Sequence, residues 1–226
     1  MEKETRTMKV ASLKFSGKKK PTFHNVDIDD EGNIRYYNEK GELHRSDGPA
    51  VEYVNGDKEW WINGEKHRED GPAIEFSDGS GEWYIHDRLH REDGPAIEYA
   101  DGTKEWYKHD KLHRLDGPAV EKTDGDKQWW VNGNLHRVDG PAIENESGYK
   151  EWYVNNKRHR LDGPAIEAID GTKQWWVNDE LHRLDGPAIE WWNGKKEWYV
   201  NGQRIGTSTR GFTDEKFEKW KKKHGL

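Results

Sequence analysis

The chain has 226 residues and a formal net charge of −7, with 31% hydrophobic and 36% charged residues. That is a thin supply for a globular core, but 13 Trp, 9 Tyr and 5 Phe compensate, because each buried ring removes a large area from water. Without cysteine, a disulfide framework and a thiolate metal site are both excluded. Residues 1–20 carry seven Lys/Arg against two Glu, and residues 204–226 seven against three acids, which leaves −16 on residues 21–203. An acidic body between basic ends argues against gripping a phosphate backbone and fits attraction to a basic partner surface.

Met1 to Lys20 form a basic tail with no apolar run suited to a signal peptide. No run of 18 apolar residues suggests a membrane span, so the expectation is a soluble, cytoplasmic protein. His24 to Asp29 alternate apolar and polar as a strand does. Glu31-Gly32-Asn33 supply a turn, and Ile34-Arg35-Tyr36-Tyr37 read as a second strand. Residues 21–43 are thereby read as a degenerate N-terminal cap.

From His44 onward a signature, His-Arg-x-Asp-Gly-Pro-Ala, begins at His44, His67, His90, His113, His136, His159 and His182, always 23 residues apart. A fixed period between about 20 and 50 residues marks a stacked-repeat architecture. After each signature comes a short strand-like stretch such as Ala96-Ile97-Glu98-Tyr99-Ala100, then an Asp-Gly, Asn-Gly or Ser-Gly turn suited to a hairpin. A Lys-Glu-Trp-Tyr-Val-like strand follows and ends on Asn, Asp, His or Gly pairs that tolerate left-handed backbone. Each repeat over 44–203 therefore reads as one β-hairpin plus a signature loop. The fold expected is all-β, a single elongated array of roughly 14 stacked antiparallel strands advancing about 10 Å per repeat. Trp60, Trp83, Trp106, Trp129, Trp152, Trp175 and Trp198 form one aromatic row. The aromatic residue after each forms a second row on the opposite face.

Beyond Gly202 the period fails, with Ile205-Gly206 where an eighth His-Arg would fall. Residues 204–226 read as a linker and a capping helix. Thr213 is a suitable N-cap, Phe212 is placed to staple onto Phe217, Lys221–Lys223 favour the last turn, and Gly225 ends it. Phe217 and Trp220 share a face and are expected to cover Trp191 and Trp192.

The signature holds His, Arg, Asp and Glu, yet its regularity argues against catalysis. An active site converges different elements on one point, and nothing requires that seven times. Histidines about 10 Å apart do not share a zinc whose ligands lie at about 2 Å. No catalytic residue, metal or cofactor is therefore assigned. Asp-Gly-Pro is turn chemistry, Arg160 can pair with Asp162, and Glu167 is a further acceptor for the guanidinium fork.

The hairpins, the period and the signature resemble MORN-type repeats (membrane occupation and recognition nexus), in the His-Arg-x-Asp-Gly-Pro-Ala form found in bacteriophages and giant viruses. The likeness spans residues 44–203, although the standard MORN pattern centres on Gly and Tyr. The resemblance implies a non-enzymatic binding scaffold, and a viral origin would place it in the host cytoplasm. It would there bind and inhibit a host factor such as a defence or nucleic-acid-processing protein.

Partner contacts are expected where copies differ. His86, Asp87, Lys108, His109 and Asp110 break the pattern in two adjacent repeats and form one candidate patch. A second candidate is an outward acidic row, Glu52, Glu75, Glu98, Glu121, Glu144, Glu167 and Glu190, suited to a basic groove. An alternative function is stacking of glycan or nucleotide rings on the Trp/Tyr rows.

Overall fold

The computed structural model describes residues 6–9 and 23–226, so most of the basic tail lies outside the described residues. The chain divides into two compact units, 1–111 and 112–226. Each is an antiparallel sheet of stacked hairpins, and the all-β expectation holds. One α-helix, Asp214–His224, is present among the described residues.

In the first unit Arg6–Lys9 pairs with Asn25–Ile28, which pairs with Ile34–Tyr37. That strand pairs with Val51–Glu52, and Val51–Glu52 with Lys58–Glu59. The ladder continues through Ile74–Glu75, Gly81–Glu82 and Ile97–Glu98 to Lys104–Glu105. In the second unit it runs from Val120–Glu121 through six further strands to Lys196–Val200 and Gln203–Thr207.

The repeat differs from the expected single hairpin, for its second strand is broken at the tryptophan. Lys150–Glu151 belongs to the ladder, while Tyr153–Val154 pairs with Lys157–Arg158 in a separate small hairpin. Between them the Trp152 N–H donates to Ala165 O at 2.8 Å, and Trp152 O accepts from His159 N–H at 3.1 Å. Trp60, Trp83, Trp129 and Trp175 make the same bond to the alanine of the following signature, each at 2.8 Å. The chain is thus drawn off the ladder by a partner 13 residues ahead. Each repeat owns a ladder hairpin and a tip hairpin.

Turn chemistry explains both. The ladder turn places Gly171 at φ 88°, and the tip turn places Asn155 and Asn156 at 51° and 63°, the paired positive φ values of a type I′ turn. Ladder strands alternate, with Ile166 7% exposed and the neighbouring Glu167 half-buried on the opposite face. Every signature alanine, from Ala50 to Ala188, is fully buried, and Val51, Ile74, Ile97, Val120, Ile166 and Ile189 pack beside them. Successive repeats are also stapled at the ladder turns. Asn33 Oδ1 accepts from Val54 N–H at 3.0 Å, Asp57 Oδ1 from Ser77 at 2.7 Å, and Ser80 Oγ from Ala100 at 2.9 Å. Asn33 lies in the degenerate segment, which therefore fastens to the first full repeat in the manner of any other repeat.

At the C-terminus Lys196–Val200 and Gln203–Thr207 form a long hairpin, since no further signature draws Trp198 away. Gly206 is required there because the Phe212 ring occupies the space of its Cβ. Thr213 caps the helix by accepting from Lys216 N–H, and Gly225 closes it at φ 73°. Phe217 packs with Trp198, Val200, Ile205, Phe212 and Trp220. The helix thus covers Trp198, whereas Trp192, expected beneath it, stays 67% exposed. Trp191 is tied elsewhere, donating from Nε1 to Glu197 at 3.3 Å.

Candidate functional site: signature clasps, loop crests and hairpin tips

The signature folds around its arginine. Arg160 Nε donates to Asp162 Oδ1 at 2.9 Å, while Nη1 donates to Pro164 O at 3.1 Å and Glu167 Oε1 at 3.2 Å. Its Cζ lies 4.0 Å from the centre of the Trp152 ring, a cation–π contact. On the other side sits Gly163, where an added Cβ would come within 2.8 Å of Cζ. Glycine is needed here for closeness of approach.

The same three acceptors hold Arg45, Arg68, Arg91, Arg114, Arg137 and Arg183. Arg68, Arg91, Arg137 and Arg183 stack on Trp60, Trp83, Trp129 and Trp175 at 3.9–4.2 Å, and Arg45 on Tyr36 at 4.2 Å. The signature is a clasp, with every conserved-by-repeat side chain committed to the fold.

The clasp changes the reading of the acidic row. Glu52, Glu75, Glu98, Glu121, Glu144, Glu167 and Glu190 turn onto their arginines with side chains 34–42% exposed. The outward carboxylates are the aspartates, with Asp70, Asp93, Asp116, Asp139, Asp162 and Asp185 at 79–85%. The hydrogen bond from each arginine holds these six carboxyls below the ordinary aspartate value. Each clasp sets two carboxylates on one guanidinium, so a net negative charge remains.

The second aromatic row is also engaged. Tyr84 and Tyr107 donate to Glu82 and Glu105 at 3.0 Å, and Trp130 and Trp176 donate to Gln128 and Gln174 at 3.0 and 3.1 Å. Burial first, and then the neighbouring glutamate, pushes the Tyr84 and Tyr107 phenols far up. Lys66 Nζ sits over both Trp61 and Tyr84, and Arg158 Cζ over both Tyr153 and Trp176. Trp198 of the first row and Tyr153 of the second are buried.

The five residues of the candidate patch are exposed on two adjacent tips, but several fasten the fold. Asp87 Oδ1 accepts from Lys66 N–H at 2.7 Å, and Asp110 Oδ1 from Leu89 N–H at 2.9 Å. Asn156 and Asp179 do the same for Leu135 and Arg158, so this position is a staple between tips. His86 packs against His67 with ring centroids 4.4 Å apart and planes tilted by 53°, and His109 against His90 at 4.2 Å and 32°. His86 Nδ1 lies 2.7 Å from Glu65, and Lys108 Nζ 3.0 Å from Glu92. That lysine holds the Glu92 carboxyl below its ordinary value.

The residue between Arg and Asp went unremarked in the sequence, yet it forms the crest of each loop. It is Ser46, Glu69 and Glu92 in the first unit, and Leu115, Val138, Leu161 and Leu184 in the second. Leu115, Val138 and Leu161 are 79–81% exposed and Leu184 39%. The signal was available, because four successive copies carry an aliphatic side chain in a loop otherwise made of polar and turn residues. Between neighbouring crests run grooves of about 630 Å³ (Leu161 to Leu184) and 600 Å³ (Val138 to Leu161). The first is floored by Trp175 and Val177, the second by Trp152 and Val154.

Among the described residues no cluster of three or more His, Asp or Glu could hold a metal ion, and no helix is long and apolar enough to cross a membrane. No protein-family model matches the chain, and comparison with curated proteins finds no match.

Proposed function

We propose that this chain is a non-enzymatic repeat scaffold that docks a protein with a basic surface. The observation that carries the reading is the charge balance of the clasp. Its guanidinium is consumed internally by the Trp ring, the Pro carbonyl, Asp and Glu, while the aspartate faces solvent, once per repeat. A row of such carboxylates attracts a cationic partner and repels a phosphate backbone. Following the resemblance to phage and giant-virus repeats, the partner is taken to be a host factor, such as a defence or nucleic-acid-processing protein. Face-on stacking of glycan or nucleotide rings is not favoured, since one face of Trp60, Trp83, Trp129, Trp152 and Trp175 already carries a guanidinium.

Isothermal titration with a lysine-rich peptide and with an oligonucleotide of equal length tests the reading. The peptide is expected to bind, more weakly as salt screens the carboxylates, and the oligonucleotide to stay free. Changing Asp116, Asp139, Asp162 and Asp185 together to Asn keeps an acceptor for each arginine but removes four charges, and should weaken the peptide. Preferential binding of the oligonucleotide would overturn the proposal.

A further inference from the structure

The crests of the second unit make the partner's chemistry more specific. Leu115, Val138 and Leu161 stand 79–81% exposed in successive repeats, each followed by an aspartate that is 79–85% exposed. Aliphatic side chains this open contribute little to the fold. Two grooves of the same construction lie along the row, from Val138 to Leu161 and from Leu161 to Leu184, one repeat step apart, each with a Trp and a Val at its floor and a proline in its wall. The result is a periodic surface, apolar and acidic by turns.

Its period selects a ligand conformation. Each repeat contributes two ladder strands, so adjacent crests are about 9.6 Å apart at about 4.8 Å per strand. A β-strand covers that distance in three residues but points the first and fourth to opposite faces. An α-helix needs seven residues and advances about 10.5 Å, so it runs about 3 Å ahead of the crests over three steps. A polyproline II helix has three residues per turn at about 3.1 Å each, or about 9.3 Å per turn on one constant face. It falls behind by only about 1 Å across the same span.

Charge complementarity selects the composition. The aspartate beside each crest calls for a Lys or Arg, and aromatic-floored grooves with an apolar wall suit proline and aliphatic side chains. We infer that the crest row of the second unit binds an extended, basic, proline-rich segment in polyproline II form, with one apolar residue entering a groove at every third position. This rests on the scaffold reading above and adds the surface and the class of segment. The first unit provides an internal contrast, since its groove between Glu69 and Glu92 is larger, about 770 Å³, and has acids in place of the aliphatic crests.

Fluorescence anisotropy with a labelled Leu-Pro-Lys repeat peptide of about 12 residues, four turns of polyproline II, tests the inference. The control is a scrambled peptide of equal composition with no three-residue period. The protein variant is Val138→Ser with Leu161→Ser, which copies Ser46 of the first repeat and leaves the charge unchanged. The periodic peptide is expected to bind about tenfold more tightly than the scrambled one, a difference of about 1.4 kcal/mol, and the variant to lose that preference. Salt-sensitive binding of both peptides with equal affinity, or an undiminished preference in the variant, overturns this surface while leaving the scaffold reading in place. Failure of every basic peptide to bind overturns both.

Discussion

Leu161 and its two neighbours share a loop but not a role. Arg160 and Asp162 are held by each other, by Glu167 and by the Trp152 ring, whereas Leu161 between them is 81% exposed. The clasp repeats because each of its side chains is the surroundings of the next one, so none can change alone. The crest varies from Ser46 through Glu92 to Leu161 because no partner common to the repeats holds it, for Glu92 pairs with Lys108 whereas Leu161 stands open. In a repeat protein the invariant residues therefore describe the stacking, and the free positions between them are where recognition can differ. His86 and His109 belong to an intermediate group, exposed at the tips but in tilted ring contact with the signature histidines.

The sharpest way to break the contrast is Arg160→Ala. It removes the ring contact and three donated hydrogen bonds from a side chain only 22% exposed, leaving Pro164 O and Glu167 without their donor. A loss of about 2–4 kcal/mol is expected from a cation–π contact and charge-assisted bonds of this kind, read from the midpoint of urea unfolding. An unchanged midpoint would mean that the clasp is ornamental.

Gly163→Ala should act through the same arginine but less strongly. The new methyl meets Cζ at 2.8 Å, and the guanidinium, at the end of a flexible chain, can retreat. Retreating forfeits part of its stacking and bonding, for an expected cost of about 1–2 kcal/mol. In the double variant with Arg160→Ala the glycine effect should vanish, because no guanidinium remains to be displaced.

Acid probes six of the seven clasps together. Six aspartates have folded-state pKa values below the ordinary 3.8 because their arginines donate to them. Between the folded and unfolded values the unfolded chain binds more protons, so the associated stability is full above pH ~4 and is lost as pH falls through the folded values. Thermal melts should show a falling Tm below pH 4, with a shallower fall in a variant carrying Asn at these six positions.

Much of this contrast was legible in the sequence. The period, the Asp-Gly turns, the Thr213 cap and the pairing of Arg160 with Asp162 and Glu167 all depend on residues close along the chain. The break at Trp152 was not legible, because Lys150-Glu151-Trp152-Tyr153-Val154 reads as one strand, and the bond that breaks it comes from Ala165 in the next loop. The stacking of Arg160 on a ring eight residues earlier was hidden for the same reason. For Glu167 the sequence left two readings open, an outward carboxylate and an acceptor for Arg160, and the hydrogen bond from Arg160 decides for the second.

A smaller effect, of opposite sign, is expected at the tips. Where the tip residue is Asn, the signature histidine finds a partner, as His159 Nδ1 does 3.0 Å from Asn178 Oδ1. Opposite His86, the His67 Nδ1 is buried without a hydrogen-bond partner. His86→Asn should offer that nitrogen a partner from a residue type that other repeats already place at this left-handed position, φ 51° here, at the expense of one ring contact and the pair with Glu65. A gain of about 0.5 kcal/mol is expected, the lower end of a hydrogen bond's net worth. Destabilisation would show that the imidazole contact and the Glu65 pair outweigh the missing bond.

The smallest change belongs to the crest itself. Val138→Ser with Leu161→Ser removes apolar side chains that are 81% exposed in the folded protein, so folding recovers little area from them and their loss forfeits little. Neither residue donates, accepts or pairs, and serine already occupies the equivalent position at Ser46. The midpoint of urea unfolding should stay within about 0.5 kcal/mol of the parent, the usual range for surface substitutions. A larger loss would mean that the aliphatic crest is packed in the folded chain, and the distinction between clasp and crest would fail at the residue that defines it.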